Sequence, residues 1–168
     1  NLDNIDKKFL QESRRLLPNN NYVGFSITQG NEYRKKSWPL ENFSELAKKI
    51  VKMKKIPVFF LEKSDNEIAN KIKLEIPEAL IPEHNSNLSG PALVTSLSSR
   101  LEKVISIDNG IMHMISLANV PMLVLFGPTS SLKFSPNREN ITILDSKEMY
   151  KTNDISKIKT EDILKYIN

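Results

Sequence analysis

Cysteine is absent from this 168-residue sequence, tryptophan occurs once and histidine twice. Lack of cysteine excludes disulfides, thiolate metal sites and a cysteine nucleophile, and it suits a reducing, cytoplasmic compartment. The two histidines, His84 and His113, stand far apart in sequence and have no cysteine to join them, so no metal-ligand spacing arises and no metal is expected. Glycine is scarce, with 5 residues. No Gly-x-Gly-x-x-Gly run and no Walker loop is present, which disfavours a nicotinamide-dependent enzyme or a P-loop NTPase. No apolar run approaches the roughly 20 residues of a membrane span, and no signal-peptide pattern is seen. Internal repeats and low-complexity tracts are also missing.

What is present is ordinary for a globular chain. Apolar residues make up 39% and charged residues 26%, enough for one domain with a proper core. Asn1 rather than Met opens the sequence, as expected of a segment of a longer or trimmed protein. Net charge is +4, with basic clusters at Arg34-Lys35-Lys36 and over Lys48–Lys55. The second cluster reads as the solvated face of a helix, since its lysines sit opposite the apolar positions. Basic residues are not interleaved with aromatics, so nucleic acid is not an expected partner.

Strand-like and helix-like segments alternate along the chain. Residues 4–17 form an amphipathic helix closed by Pro18, either packed on the domain or left from an interdomain linker; residues 1–21 are set apart on that basis. The domain proper spans 22–168. Tyr22 to Thr28 reads as a strand, and Pro39 suits the first turn of the helix that carries Leu40, Phe43, Leu46, Ala47 and Ile50. Val58 to Leu61 is the second strand. Ser64-Asp65-Asn66-Glu67 resembles a capping box opening a helix to about Glu75. A short strand is placed near Leu80-Ile81, a short helix over Pro91–Ser99 and a final strand over Ile141–Leu144. Thr160 reads as the N-cap of a last helix. This alternation predicts a parallel sheet with helices on both faces, a Rossmann-like α/β fold.

The densest stretch lies at residues 103–136. Val104, Ile105 and Ile107 form an apolar strand broken by Asp108-Asn109-Gly110, after which Ile111 to Ala118 has helical character. Met122 to Phe126 is a second strand, stopped by Gly127-Pro128. Two strand ends thus deliver loops to one sheet edge with a helix N-terminus between them, where open α/β sheets bind ligands and anions are favoured. Asp108 is read as a cap on the following helix, by itself or together with a ligand contact. Gly110 permits close approach of a ligand or a positive φ. His113 falls on the first turn of that helix, as a structural residue or as a donor to phosphate or sugar oxygen. Asp65 and Glu67 follow the second strand, where an acid often meets ribose hydroxyls; Glu67 equally fits a capping box.

The same residues resemble glycosyltransferase family 9, which includes the ADP-heptose:lipopolysaccharide heptosyltransferases. The likeness rests on Asp108-Asn109-Gly110-Ile111-Met112-His113, Leu117-Ala118, Pro121, Phe126-Gly127-Pro128-Thr129 and Pro136, in the family's order and spacing. Asn109 stands where that family has Ser or Thr. Lys36-Ser37-Trp38-Pro39 matches its Lys-Arg-Trp-Pro except at Ser37, and Trp38 is expected to pack this loop down.

The resemblance implies the C-terminal, donor-binding half of a two-domain GT-B glycosyltransferase, covering roughly residues 22–167. It implies a nucleotide-diphospho-sugar donor, ADP-heptose or a relative, and a lipopolysaccharide-type or other cell-envelope acceptor. The acceptor and the catalytic base belong to an N-terminal half that has no counterpart here, so this chain alone is expected not to turn over. The donor site it implies comprises Lys36, Asp65, Glu67, Asp108, Asn109, Gly110, His113, Gly127, Pro128 and Thr129, with Lys36 and Thr129 on the phosphates and no cofactor or metal. The full enzyme would work in the cytoplasm, at the inner face of the membrane through peripheral association. Two alternatives stay open: a non-catalytic nucleotide- or phosphate-binding module, and a nucleotide-sugar epimerase or hydrolase sharing the GT-B architecture.

Overall fold

A computed structural model describes residues 2–28, 37–128 and 140–168. Its sheet consists of β1 (Tyr22–Ser26), β2 (Ile56–Phe59), β3 (Lys103–Ile107), β4 (Met122–Phe126) and β5 (Ile141–Asp145). All neighbours are parallel, in the order β2-β1-β3-β4-β5. The helices are α1 (Lys7–Leu16), α2 (Leu40–Lys52), α3 (Asn66–Glu75), α4 (Pro91–Ser98), α5 (Gly110–Ser116), α6 (Ser146–Tyr150) and α7 (Thr160–Leu164).

Successive strand residues feed two separate cores. Val23, Phe25, Ile105, Ile107, Leu123 and Leu125 pack with α2, α3 and α7 on one face. Tyr22, Val58, Val104, Met122 and Val124 pack with α4 and α5 on the other, where Phe9 and Leu16 of α1 and the following Leu17 join them. Both faces are covered, which is why the strands read as unbroken apolar runs rather than as alternating ones. The first helix is therefore packed on the domain. On α2 the apolar residues Phe43, Leu46, Ala47 and Ile50 are buried and Lys48 and Lys52 are exposed, as the periodicity predicts.

The second strand starts two residues earlier than expected and runs through Pro57. A proline fits here because its missing N–H would point to the outer flank of β2, away from β1. Among the described residues only Leu80 pairs on that flank: its N–H donates to the Pro57 carbonyl, and its carbonyl accepts from Phe59 N–H. The expected strand near Leu80-Ile81 is thus a single bridge. Two cap assignments are corrected. Lys159 is the N-cap of α7, with its N–H held by the Asp162 carboxylate at 2.9 Å, and Thr160 is the first helical residue. The capping box at Ser64 does not form: Asp65 is the N-cap of α3, and its side chain makes no capping hydrogen bond. The short helix α6, which follows β5 with no intervening loop, has no expectation behind it.

The chain leaves β1 toward β2 and Leu80, then crosses back to build β3, β4 and β5 on the other side of β1. The order reverses between β1 and β3. The crevice at the carboxyl ends of those two strands is the topological switch point where α/β sheets take ligands.

Candidate functional site

The carboxyl ends of β1 and β3 are fastened together by one side chain. Asn109 Oδ1 accepts the Met112 N–H at 2.8 Å, which makes Asn109 the N-cap of α5. Its amide nitrogen donates to the Thr28 carbonyl at 2.9 Å and to Ser26 Oγ at 2.9 Å, both just past or at the end of β1. A serine or threonine hydroxyl supplies the capping oxygen but not two such donors.

The expectation that Asp108 caps the helix is overturned. Asn109 is the last residue with extended backbone, φ −148° and ψ 174°, so the capping position falls one residue after Asp108. Asp108 lies half-buried at the strand end, and no hydrogen bond among the described residues uses its carboxylate. Gly110 opens α5 outside the positive-φ region, and a side chain added there would meet nothing within 4 Å. His113 is exposed on the first turn of the same helix.

Gly127 has a different reason to be glycine. A Cβ there would come within 2.6 Å of the Ile155 Cβ and 2.9 Å of the Asn153 carbonyl oxygen. Its carbonyl accepts a hydrogen bond from the Lys147 ammonium. Packing thus fills the space beside Gly127, while Pro128 is half-buried next to it. Lys36 and Thr129, together with Arg34, Lys35 and Pro136, lie outside the described residues. The neighbouring Trp38 is fully packed, as expected. Its indole N–H donates to the Ile158 carbonyl at 2.9 Å, and its ring meets Phe43 edge-on with centroids 4.9 Å apart.

Two clefts flank the segment after β2, and Ser64 lines both. The larger, about 720 Å³, holds Asp65 and Glu67 with Thr28, Trp38, Ile68 and Lys71 around it. The absence of a capping box leaves Glu67 exposed at the start of α3, with no backbone to satisfy. The smaller, about 480 Å³, lies between this segment and the starts of α4 and α5, with Glu62, Glu83, Gly90, Val94, Ile111 and Met114 on its walls.

Sequence reasoning missed the smaller cleft almost entirely. Gly90 has φ 97° and Pro91 follows at the first helical position, a readable helix-start signal whose cavity was not foreseen. Glu83 is 9% exposed. Burial pushes its carboxyl up to about 7, helped by the charges of Glu62 and Asp65 and opposed by a backbone hydrogen bond at Leu61 and by Lys63. Next to it, His84 Nε2 is 2.8 Å from the Glu62 carbonyl oxygen. Among the described residues no three His, Asp or Glu side chains converge on a metal position, and no helix is long and apolar enough to cross a membrane.

Comparison with known proteins gives a consistent result. The family model for glycosyltransferase family 9 (heptosyltransferase) matches residues 3–165. Lipooligosaccharide heptosyltransferase 2 of Haemophilus influenzae is 28% identical over 142 residues, which is 82% of this chain and 40% of that protein. Among solved structures, Escherichia coli ADP-heptose lps heptosyltransferase II aligns with a TM-score of 0.77 at 17% identity, covering 98% of this chain and 51% of that one. Escherichia coli heptosyltransferase WaaC with ADP aligns at 0.68 and 16%, covering 92% and 46%. The chain therefore spans about half the length of the proteins it matches, and its fold is that of one half of a GT-B glycosyltransferase.

Proposed function

The chain belongs to glycosyltransferase family 9, and from that premise we propose that it is the donor-binding half of a heptosyltransferase-like enzyme. In this reading it holds a nucleotide-diphospho-sugar, an ADP-heptose-like donor. The sugar passes to a lipopolysaccharide-type acceptor carried by the other half of the enzyme. The observation that carries the reading is the convergence of β1 and β3 at the switch point, fastened through Asn109, with a cleft on either side of the Ser64 segment.

The chemistry divides among the elements. The smaller cleft, walled by Val94, Ile111 and Met114, takes the base. Asp65 and Glu67 reach sugar or ribose hydroxyls from the larger cleft. The diphosphate lies by Gly110 at the start of α5, with Lys36 and Thr129 supplying charge and a hydroxyl, in the roles that the family resemblance gives them. Asp108, whose carboxylate makes no hydrogen bond among the described residues, accepts from a sugar hydroxyl. Transfer inverts the anomeric carbon: an acceptor oxygen attacks, the bond to the phosphate oxygen breaks, and the hydroxyl proton goes to a base on the other half. Contacts to the diphosphate strengthen as negative charge develops on the leaving oxygen, so they act in the transition state.

Calorimetric titration of this chain with ADP, UDP, GDP and CDP tests the reading. ADP is expected to bind most tightly. Lys36→Ala is expected to weaken it by roughly tenfold, the scale of one charge-assisted contact. Preference for UDP or GDP moves the donor away from ADP-heptose. Absence of binding by all four removes the proposed site from this chain.

A further inference from the structure

Packing does not account for Glu83. Glu83 is 9% exposed, on the wall of a cleft where Pro91, Val94, Ile111 and Met114 form the apolar part and Glu62, Lys63 and Ser64 line the polar part. No ion pair to Glu83 forms among the described residues. Burying a carboxyl without a counter-ion is costly, and an apolar residue of similar volume would be the stable choice there. The one backbone hydrogen bond at Leu61 leaves acceptor capacity on a group with about four lone-pair sites. A buried acid beside the apolar part of a cleft is an arrangement by which a binding site reads one polar edge of a flat ligand.

We propose that Glu83 is a specificity-determining residue for the base: its carboxylate accepts a hydrogen bond from an exocyclic amino group, selecting a 6-aminopurine over a 6-oxopurine. This inference rests on the donor-binding reading above and adds to it the residue that reads the base. The selection has two parts. A 6-amino group donates to the carboxylate. A 6-oxo group presents a lone pair to the same oxygen, which repels it unless the carboxyl is protonated and donates instead.

That dependence on protonation makes the idea testable, because Glu83 changes charge near neutrality. The groups that bear on it are Glu62, Lys63 and Asp65 from the segment after β2. His84, on its own turn, faces the Glu62 carbonyl. The diphosphate of a ligand also titrates, but ADP and IDP carry the same diphosphate, so their affinity ratio cancels that contribution.

The experiment measures ADP and IDP affinities for the wild-type chain and for Glu83→Gln at about pH 6 and about pH 8. In the wild type, ADP is expected to be favoured by about tenfold at the higher pH, the scale of a hydrogen bond to a charged group, and the ratio to fall toward parity at the lower. In Glu83→Gln the ratio is expected to lie within about twofold of unity at both, since an amide turns to serve either base. The wild-type pH series needs no variant, so it decides the matter even if the substitution disturbs folding. A wild-type ratio that does not change with pH, or one that survives Glu83→Gln, overturns the role of Glu83 while leaving the nucleotide site in place. Failure of both nucleotides to bind wild type overturns the donor-binding reading and this inference with it.

Discussion

A single amide carries most of the geometry at the switch point. Asn109 caps α5 with its oxygen and holds the exit of β1 with its nitrogen, 81 residues away at Thr28. The two tasks separate by substitution. Asn109→Ser keeps a capping oxygen and loses the amide donors; Asn109→Ala loses both. Removing a capping oxygen costs about 1 kcal/mol. Urea unfolding should therefore rank wild type above Asn109→Ser, and Asn109→Ser above Asn109→Ala by about that amount. Equal destabilisation by the two variants would mean that the cap contributes nothing here. Asp108 stands beside this amide, and none of the bonds that fasten the two strand ends involves it. That its carboxylate makes no hydrogen bond among the described residues fits the sugar-contact role proposed for it.

At the scale of elements, two glycines after neighbouring strands respond to opposite constraints. Gly110 starts α5 facing open space, while Gly127 ends β4 against the backbone of residues 153–155. Gly110→Ala should leave thermal stability unchanged or slightly raised, because alanine is the better helix former. If the diphosphate lies against this turn, the same substitution should weaken nucleotide binding. Gly127→Ala forces a carbon into contacts of 2.6 to 2.9 Å, and overpacking of this kind costs about 1–3 kcal/mol. A melting temperature for Gly127→Ala within a degree of wild type would contradict the packing described. The segment before α2 is held in the same manner, by Trp38 reaching the Ile158 carbonyl across the domain.

For the whole molecule, two acids give stability an opposite dependence on pH. Glu12 on α1 is held down to about 2 by hydrogen bonds from Arg15 and Ser86. Arg15 also donates to the Asn85 carbonyl at 2.8 Å, so this cluster ties α1 to the turn that carries Glu83. A depressed carboxylate contributes stability that is present above its ordinary value near 4.5 and lost as pH falls through about 2. Glu83 works the other way. Its folded-state value of about 7 lies above the ordinary 4.5, so the folded state holds the proton more tightly, and stability declines as pH rises from 4.5 to about 7. That gap corresponds to an upper bound of about 3 kcal/mol. Glu83→Gln should accordingly raise the urea midpoint at pH 8 and change it little below pH 5. A midpoint difference that is the same at both would show that Glu83 is not held protonated by the fold. The stabilising effect expected at pH 8 is also why this acid calls for an explanation in ligand recognition.

Much of this protein is fixed by short-range patterns. The apolar runs at 104–107 and 122–126, the helical spacing from Leu40 to Ile50, and the breaks at Asp108-Asn109-Gly110 and Gly127-Pro128 depend on neighbours a few residues apart. They determined a parallel sheet with helices on both faces, and the ordered signature from Asp108 to Pro136 was enough to point to the family. The tertiary structure alone decided the remainder. Whether Asp108 or Asn109 caps α5 turns on the last extended residue of a strand, a one-residue difference that composition does not resolve. That Asn109 reaches β1, that Gly127 meets Ile155 and that Leu80 pairs with β2 all join residues distant in the chain. Nothing local sets Glu83 apart after Pro82; only the packing of distant segments buries it, on the wall of a cleft shared with the starts of α4 and α5 and the Ser64 segment. Local preference acts within a few residues, whereas burial and strand order exist only once the chain has brought its distant parts together.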